Sequence, residues 1–223
     1  MPNGKRINDY VSSYCVFDLE TTGISPKNDK IIEISSVKVK DGKIIDEFST
    51  LVNPGIPIPF YATEVNNITD KMVKDAPSIE EALKEFVSFV GDYVLIGHNI
   101  HQFDMKFIYR EMNDCFGKGM ENDYLDTLFM ARRALPDLSH HTLQDLAEYY
   151  GVSTEGAHRA LFDCKMNQIV YENLAEELKK SSAKIDKDMI CPVCSSQLVK
   201  RKGKFGEFIG CKGYPQCRYT RNL

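Results

Sequence analysis

One apolar run near the N-terminus, Tyr14-Cys15-Val16-Phe17-Asp18-Leu19-Glu20, constrains the fold of this chain more than any other segment. Its aromatic and branched residues suit a buried strand, and side chains two apart on a strand share a face. Asp18 and Glu20 therefore stand side by side at the strand's end, where water is scarce. Two unpaired carboxylates are costly there unless something holds their charge. Taken alone, the pair would serve equally well to cap a loop or to meet a Lys or Arg, so the rest of the chain has to decide.

VSSYCVFDL is read as the first strand. KIIEISSVKVKDGKIIDEFSTLVNP supplies two more β-rich runs about Asp41-Gly42, a hairpin signal. In SIEEALKEFVSFVGD the apolar positions Ile79, Leu83, Phe86, Val87 and Val90 form a helical stripe that Gly91 ends. YVLIGHN reads as a short strand. FDMKFIYREM, YLDTLFMARRAL, HHTLQDLAEYYG and ALFDCKMNQIVYENLAEELKK read as helices. Three antiparallel strands followed by alternating helices and strands predict an α/β fold, a mixed β-sheet flanked by helices. The polar run KKSSAKIDKD, residues 179–188, reads as a linker between a domain at 10–178 and a small one at 189–223.

With 223 residues, the chain has room for one well-filled core and a small appendage. The net charge of −4 conceals two unlike parts. Residues 184–223 carry nine Lys and Arg against three Asp and Glu, a net +6, which leaves −10 on residues 1–183. The seven cysteines divide the same way, with Cys15, Cys115 and Cys164 scattered through the acidic body and the other four in the last forty residues. An odd number of cysteines, and no apolar signal segment in MPNGKRINDY, predict reduced thiols in a cytoplasmic protein. No run of about 18 apolar residues is present to span a membrane.

Two further acids change the reading of the first pair. Asp104, in IGHNIHQFDMKFI, follows an apolar strand and opens a helix; Asp163, in GAHRALFDCKM, enters the last long helix. If the strand before Asp104 and the first strand are neighbours, four carboxylates converge at one edge of the sheet. Such a set needs cations, and hard oxygen donors suit Mg²⁺ or Mn²⁺. Two ions about 3.5–4 Å apart would activate a water and stabilise the leaving oxygen of a phosphodiester. His158 supplies a proton acceptor. On a continuous helix it would be rotated about 140° from Asp163, so it has to come from the turn ahead of the helix, which Gly156 permits.

These residues together resemble the DEDD-type 3′→5′ exonucleases, in the histidine-containing branch that includes the proofreading epsilon subunit of bacterial DNA polymerase III. VFDLETTG is similar to the first motif, GHNIHQFDMKFI to the second and HRALFD to the third, while LVNPGIPIP and LDTLFMARRALP resemble connecting segments. The resemblance implies a ribonuclease-H-like fold and release of nucleoside monophosphates from a 3′ end. It implies that Asp18 bridges two ions, that Glu20 and Asp163 serve the ion holding the attacking water, and that Asp104 steadies the other. His158 would be the general base. Thr21, Thr22, His98, Asn99 and Phe103 would cradle the terminal nucleotide, although His98 could equally be a hydrogen-bonded structural residue. Two departures stand out: Ile100, His101 and Gln102 make three residues between Asn99 and Phe103, and Asn66-Asn67 replaces a frequent His-Gly.

The C-terminal segment carries Cys191-x₂-Cys194, sixteen residues, then Cys211-x₅-Cys217. Two close pairs of thiolates are the spacing of a closed, structural Zn²⁺ site, and so short a segment could hardly fold without one. Lys200, Arg201, Lys202, Lys204, Lys212 and Arg218 interleave with Phe205, Phe208, Tyr214 and Tyr219. Cations for phosphates and aromatics for stacking suit single-stranded nucleic acid; some of the rings must also form the segment's own core. GKFGEFIGCKGYPQCRYT resembles the zinc ribbons of type IA DNA topoisomerases, with Ser195 where Gly is frequent.

The preferred expectation is a metal-dependent DNA 3′→5′ exonuclease of repair or proofreading, with a ribbon that holds single-stranded DNA 3′ ends and a DNA polymerase as a partner the resemblance admits. An exoribonuclease on the same fold and an inactive nucleic-acid-binding adaptor are the alternatives; the five intact residues Asp18, Glu20, Asp104, His158 and Asp163 speak against the last.

Overall fold

A computed structural model describes residues 3–157, 159–181, 187–194, 196–203, 206–215 and 217–222. Strands β1 (Ser13–Thr21), β2 (Ile31–Lys40) and β3 (Lys43–Leu51) are followed by helices α1 (Phe60–Asn66), α2 (Asp70–Val73) and α3 (Ile79–Val90). Then come β4 (Val94–Gly97), α4 (Asp104–Phe116), β5 (Tyr124–Asp126), α5 (Thr127–Ala134), α6 (Leu143–Tyr149) and α7 (Ala160–Ser181). The sheet order is β3-β2-β1-β4-β5, with β1–β2 and β2–β3 antiparallel and β1–β4 and β4–β5 parallel. This is the expected mixed sheet, and β1 and β4 are the neighbours that convergence of the acids requires.

Alternation along β1 splits the core into two layers. Cys15, Phe17 and Leu19 pack with Leu83 and Phe86 of α3 and Phe107 of α4. Tyr14 and Val16 pack with Val170, Tyr171 and Leu174 of α7 on the other face. Asp41 and Gly42 adopt φ of 50° and 73° between β2 and β3, the left-handed pair that a tight hairpin demands. At the start of α3, Ser78 accepts from the Glu81 N–H while the Glu81 carboxylate accepts from the Ser78 N–H. Such reciprocal caps satisfy two orphan donors, so Ser78→Ala is expected to cost about 1 kcal/mol, read as a lower urea midpoint at unchanged slope.

Two expectations need correction. Tyr124–Asp126, read as the start of a helix, forms edge strand β5, and the helix begins at Thr127; the parallel register with β4 outweighs local helical preference there. Short helices α1 and α2 occupy a stretch to which the sequence reading gave no element. Lys179 and Lys180, read both as the end of the last helix and as the start of the linker, belong to α7, which runs one residue further to Ser181, and linker residues 182–186 lie outside the described residues. Among the described residues no helix is long and apolar enough to cross a membrane.

The C-terminal segment forms an antiparallel sheet of β6 (Leu198–Gly203), β7 (Gly206–Cys211) and β8 (Thr220–Asn222). It is seated on the larger domain. Phe129 of α5 belongs to the buried cluster of Cys191, Cys194, Leu198, Ile209, Cys211 and Cys217. The Arg6 guanidinium lies 4.3 Å from the Phe129 ring centroid and donates to Val193 O at 3.1 Å.

Candidate active site and metal centres

Asp18 and Glu20 continue the β1 face that carries Tyr14 and Val16, and that face meets α7. Alternation thus delivers both carboxylates to the helix that bears Asp163. Carboxylate oxygens of Asp18, Glu20 and Asp163 lie within 4.8 Å of one another. Asp104 arrives from the other layer as the first residue of α4. It is 3% exposed, and it accepts a hydrogen bond from the Leu19 N–H at 3.2 Å.

The electrostatic consequence is strong. Burial first, then the charges of Asp104, Glu20, Asp163 and Glu33, push Asp18 well above the usual carboxylate range. Burial, Asp163 and Glu33 bring Glu20 up to about 8, against a hydrogen bond from the Asn66 side chain that lowers it. Burial carries Asp104 up to about 7, against its hydrogen bonds from backbone N–H groups. Carboxylates so arranged keep their charge when divalent cations share the site. An all-oxygen, strongly anionic donor set fits Mg²⁺ or Mn²⁺ rather than a thiophilic metal.

Glu33 is a supporting residue that the apolar reading of IIEISSV concealed. It stands opposite Glu20 in the β1–β2 register and is 2% exposed. Arg159 donates to both of its oxygens at 3.0 and 3.3 Å, and the Ala160 N–H reaches it at 3.4 Å, so the start of α7 is tied to the sheet beside the acids. Asn66 and Asn67 also acquire reasons. Asn66 is buried and accepts from the Ile68 N–H while its side chain bonds Glu20, and Asn67 takes φ 59° at the end of α1, a position where Asn is the usual substitute for Gly.

α7 begins at Ala160 and Gly156 has φ +107°; His158 itself lies outside the described residues. The Thr21 hydroxyl donates to Gly23 O at 2.6 Å and the Thr22 hydroxyl accepts from the Lys30 N–H at 2.9 Å, so both hold the β1–β2 connection. Phe103 packs on Phe107 with ring centroids 5.1 Å apart. Asn99 adopts φ 60°, and its N–H donates to Asp126. Asp126 also accepts from the His101 and Leu128 N–H groups, clamping the loop before Asp104 and capping α5. Asp-Thr before an apolar helical run was the signal that could have found it. Burial pushes the His98 imidazole down to about 4, and its Nδ1 lies 3.1 Å from Thr127 Oγ1. His98 is thus hydrogen-bonded to α5, and its ring lines a cavity.

In the ribbon, the Sγ atoms of Cys191, Cys194, Cys211 and Cys217 all lie within 4.8 Å of one another. Cys191 and Cys217 are 3.7 Å apart and Cys194 and Cys211 3.3 Å apart, with no disulfide formed. A tetrahedron of Zn–S bonds near 2.3 Å has edges of about 3.8 Å, so the donors fit zinc. The Gly213 N–H donates to Cys211 Sγ at 3.3 Å, and a Cβ at Gly213 would sit 3.4 and 3.5 Å from two of the sulfurs.

Five of the expected ribbon contacts, Arg201, Phe208, Tyr214, Arg218 and Tyr219, line one hollow of about 230 Å³. Lys200 and Lys202 are exposed on β6, outside that hollow, and Lys212 faces the larger domain. Lys204 and Phe205 lie outside the described residues.

Comparison with known proteins agrees with this geometry. Residues 15–171 match the family described as Exonuclease, and residues 188–223 match that described as Topoisomerase DNA binding C4 zinc finger. The chain is 46% identical over 176 residues to the PolC-type DNA polymerase III of Clostridium perfringens, a match covering 79% of this chain and 12% of that protein. It is 39% identical over 179 residues to the DNA polymerase III subunit epsilon of Aquifex aeolicus, covering 79% of this chain and 88% of that one. Among solved structures, Exonuclease X in complex with 5′ overhanging duplex DNA superposes with a TM-score of 0.61 at 28% identity, over 76% of this chain and 93% of that chain. E. coli Exonuclease I in complex with a dT13 oligonucleotide superposes at 0.68 with 16% identity, over 93% of this chain and 54% of that chain, a likeness of fold.

Proposed function

The chain belongs to the Exonuclease family, and from that premise we propose that it hydrolyses DNA from the 3′ end, releasing nucleoside 5′-monophosphates, in repair or in proofreading beside a DNA polymerase. The observation that carries this reading is the convergence of Asp18, Glu20 and Asp163 within 4.8 Å, with Asp104 fixed behind them. These four would hold two Mg²⁺ or Mn²⁺ ions, which supply Lewis-acid stabilisation of charge on the attacking and leaving oxygens. The chain's own residues do the rest. His158, five residues ahead of Asp163 in sequence, takes the proton of the attacking water as the phosphorus–O3′ bond breaks. Glu33, Arg159 and Asn66 keep the carboxylates in place.

The ribbon, held by structural Zn²⁺ at its four cysteines, binds single-stranded DNA by stacking bases in the hollow of Phe208, Tyr214 and Tyr219 and meeting phosphates with Arg201 and Arg218. An acidic body repels a polyanion away from its site, and a basic module attached to it raises the local concentration of the strand. Unpaired cysteines favour a reducing compartment, hence the cytoplasm.

The test uses 5′-labelled single-stranded DNA and RNA of one sequence with Mg²⁺, Mn²⁺ or chelator. A DNA ladder that shortens from the 3′ end and vanishes in chelator is expected. Preferential loss of RNA would overturn the DNA assignment, and no cleavage with either metal would overturn the enzyme.

A further inference from the structure

A cavity of about 580 Å³ lies between the ribbon and the larger domain, and neither part builds it alone. Its domain side carries His98, Asn99, Arg132, His140 and His141; its ribbon side carries Gln197, Lys212 and Tyr214. Among the described residues no Asp or Glu lines it, although the body that forms half of it is acidic overall. Two cations and three exposed or half-buried imidazoles facing an open cleft are an environment for an anion.

The cleft leads somewhere at each end. At the inner end, His98 contacts Thr127, whose hydroxyl donates to Asn167 Oδ1 at 2.9 Å. Asn167 lies four residues after Asp163 on α7, hence on the same helix face; Thr127 and Asn167 are both buried, so packed side chains connect this wall of the cleft to the helix that bears Asp163. At the outer end, Tyr214, 62% exposed, belongs both to this cleft and to the ribbon hollow of Phe208 and Tyr219. The two hollows are therefore joined at one tyrosine.

We propose that this cleft is a binding site for the sugar–phosphate backbone of a single strand, a few nucleotides upstream of its 3′ terminus, with Arg132, His140 and Lys212 contacting phosphates and Tyr214 directing the strand from the ribbon hollow inward. The inference rests on the nuclease reading for the strand's direction, but the binding it asserts stands by itself. Lys212 lies 2.8 Å from Asp137, whose side chain is 93% exposed. That pair has two possible uses: a latch that docks the ribbon, or a resting partner that a phosphate displaces. An exposed pair of this kind contributes little to stability, which favours displacement.

The experiment measures anisotropy of fluorescein-labelled dT12 with the zinc-loaded full chain in the absence of Mg²⁺ and Mn²⁺. Arg132→Ala, His140→Ala and Lys212→Ala are each expected to weaken binding about fivefold or more. Arg132→Ala and Lys212→Ala should each also reduce the slope of log Kd against log salt by about 0.7, the value for one single-strand phosphate contact. Asp137→Asn separates the two uses of the ion pair. Displacement predicts equal or tighter binding in that variant, whereas a latch predicts the same loss as in Lys212→Ala. Binding within twofold of wild type for all three alanine variants, or weakened equally by Asp137→Asn and Lys212→Ala, overturns the proposal.

Turnover then separates this inference from the nuclease reading. With Mg²⁺ present, the ratio of kcat/KM for a DNA twenty-mer to that for a dinucleotide should fall about tenfold in His140→Ala. An unchanged ratio in an active enzyme counts against the cleft alone. Intact, cleft-dependent binding with no turnover counts against the nuclease alone.

Discussion

Asp18→Asn is expected to abolish exonuclease activity, by about a thousandfold or more, while making the metal-free protein harder to melt. The loss follows from position. Asp18 is the carboxylate that Asp104, Glu20, Asp163 and Glu33 all face, and an amide of the same shape supplies no negative charge to hold a cation. A thousandfold corresponds to about 4 kcal/mol of transition-state stabilisation, within the several kcal/mol that metal-ion catalysis supplies. The gain in stability has the same origin. Without cations, burial and four neighbouring carboxylates oppose a charge on Asp18, and a neutral side chain removes that opposition. Each kcal/mol relieved raises the melting temperature of a chain this size by about 2–4 °C. Adding Mn²⁺ should raise the melting temperature of the wild type and leave that of Asp18→Asn nearly where it was. Equal activity in the two proteins, or a variant that melts lower in chelator, would contradict this account of the acids.

Stripping zinc is expected to unfold the ribbon and leave the larger domain folded. The ribbon's buried cluster consists of four cysteines with Leu198, Ile209 and the borrowed Phe129, too little apolar area to stabilise three short strands. Structural zinc in such modules contributes on the order of 10–16 kcal/mol at neutral pH. The two large core clusters contain no ribbon residue, so β1, β2 and β4 should keep their amide protection after chelation while β6 and β7 exchange within seconds. Release of the ribbon should also uncover Phe129 and free Arg6, and weaken binding of single-stranded DNA. Protection of β7 that persists without zinc would contradict the assignment.

Much of this arrangement was legible in the sequence because local rules and global fold agree. The alternation in β1, the Asp41-Gly42 turn, the α3 stripe and the cysteine spacing each carry their own geometry, and each is found as read. What escaped depends on partners distant in the chain. Glu33 sits in an apolar strand, and only the register that sets it opposite Glu20 explains it. Asp126 ends a three-residue strand too short to show any periodicity. The cleft exists because Phe129 and Arg6 dock the ribbon over α5, a packing decision that neither domain's sequence states. The Asn66-Asn67 departure is explained by one hydrogen bond and one left-handed φ.

The central claim is that Asp18, Glu20, Asp104 and Asp163 act as one metal-holding group, and the most direct test is Mn²⁺ binding to the zinc-loaded protein, followed by loss of the free-ion electron paramagnetic resonance signal. The account predicts saturable binding of Mn²⁺ by the wild type that Asp18→Asn abolishes or weakens at least about a hundredfold, with the ribbon zinc retained in both. Equal Mn²⁺ binding by the two proteins, or none by either, would contradict it.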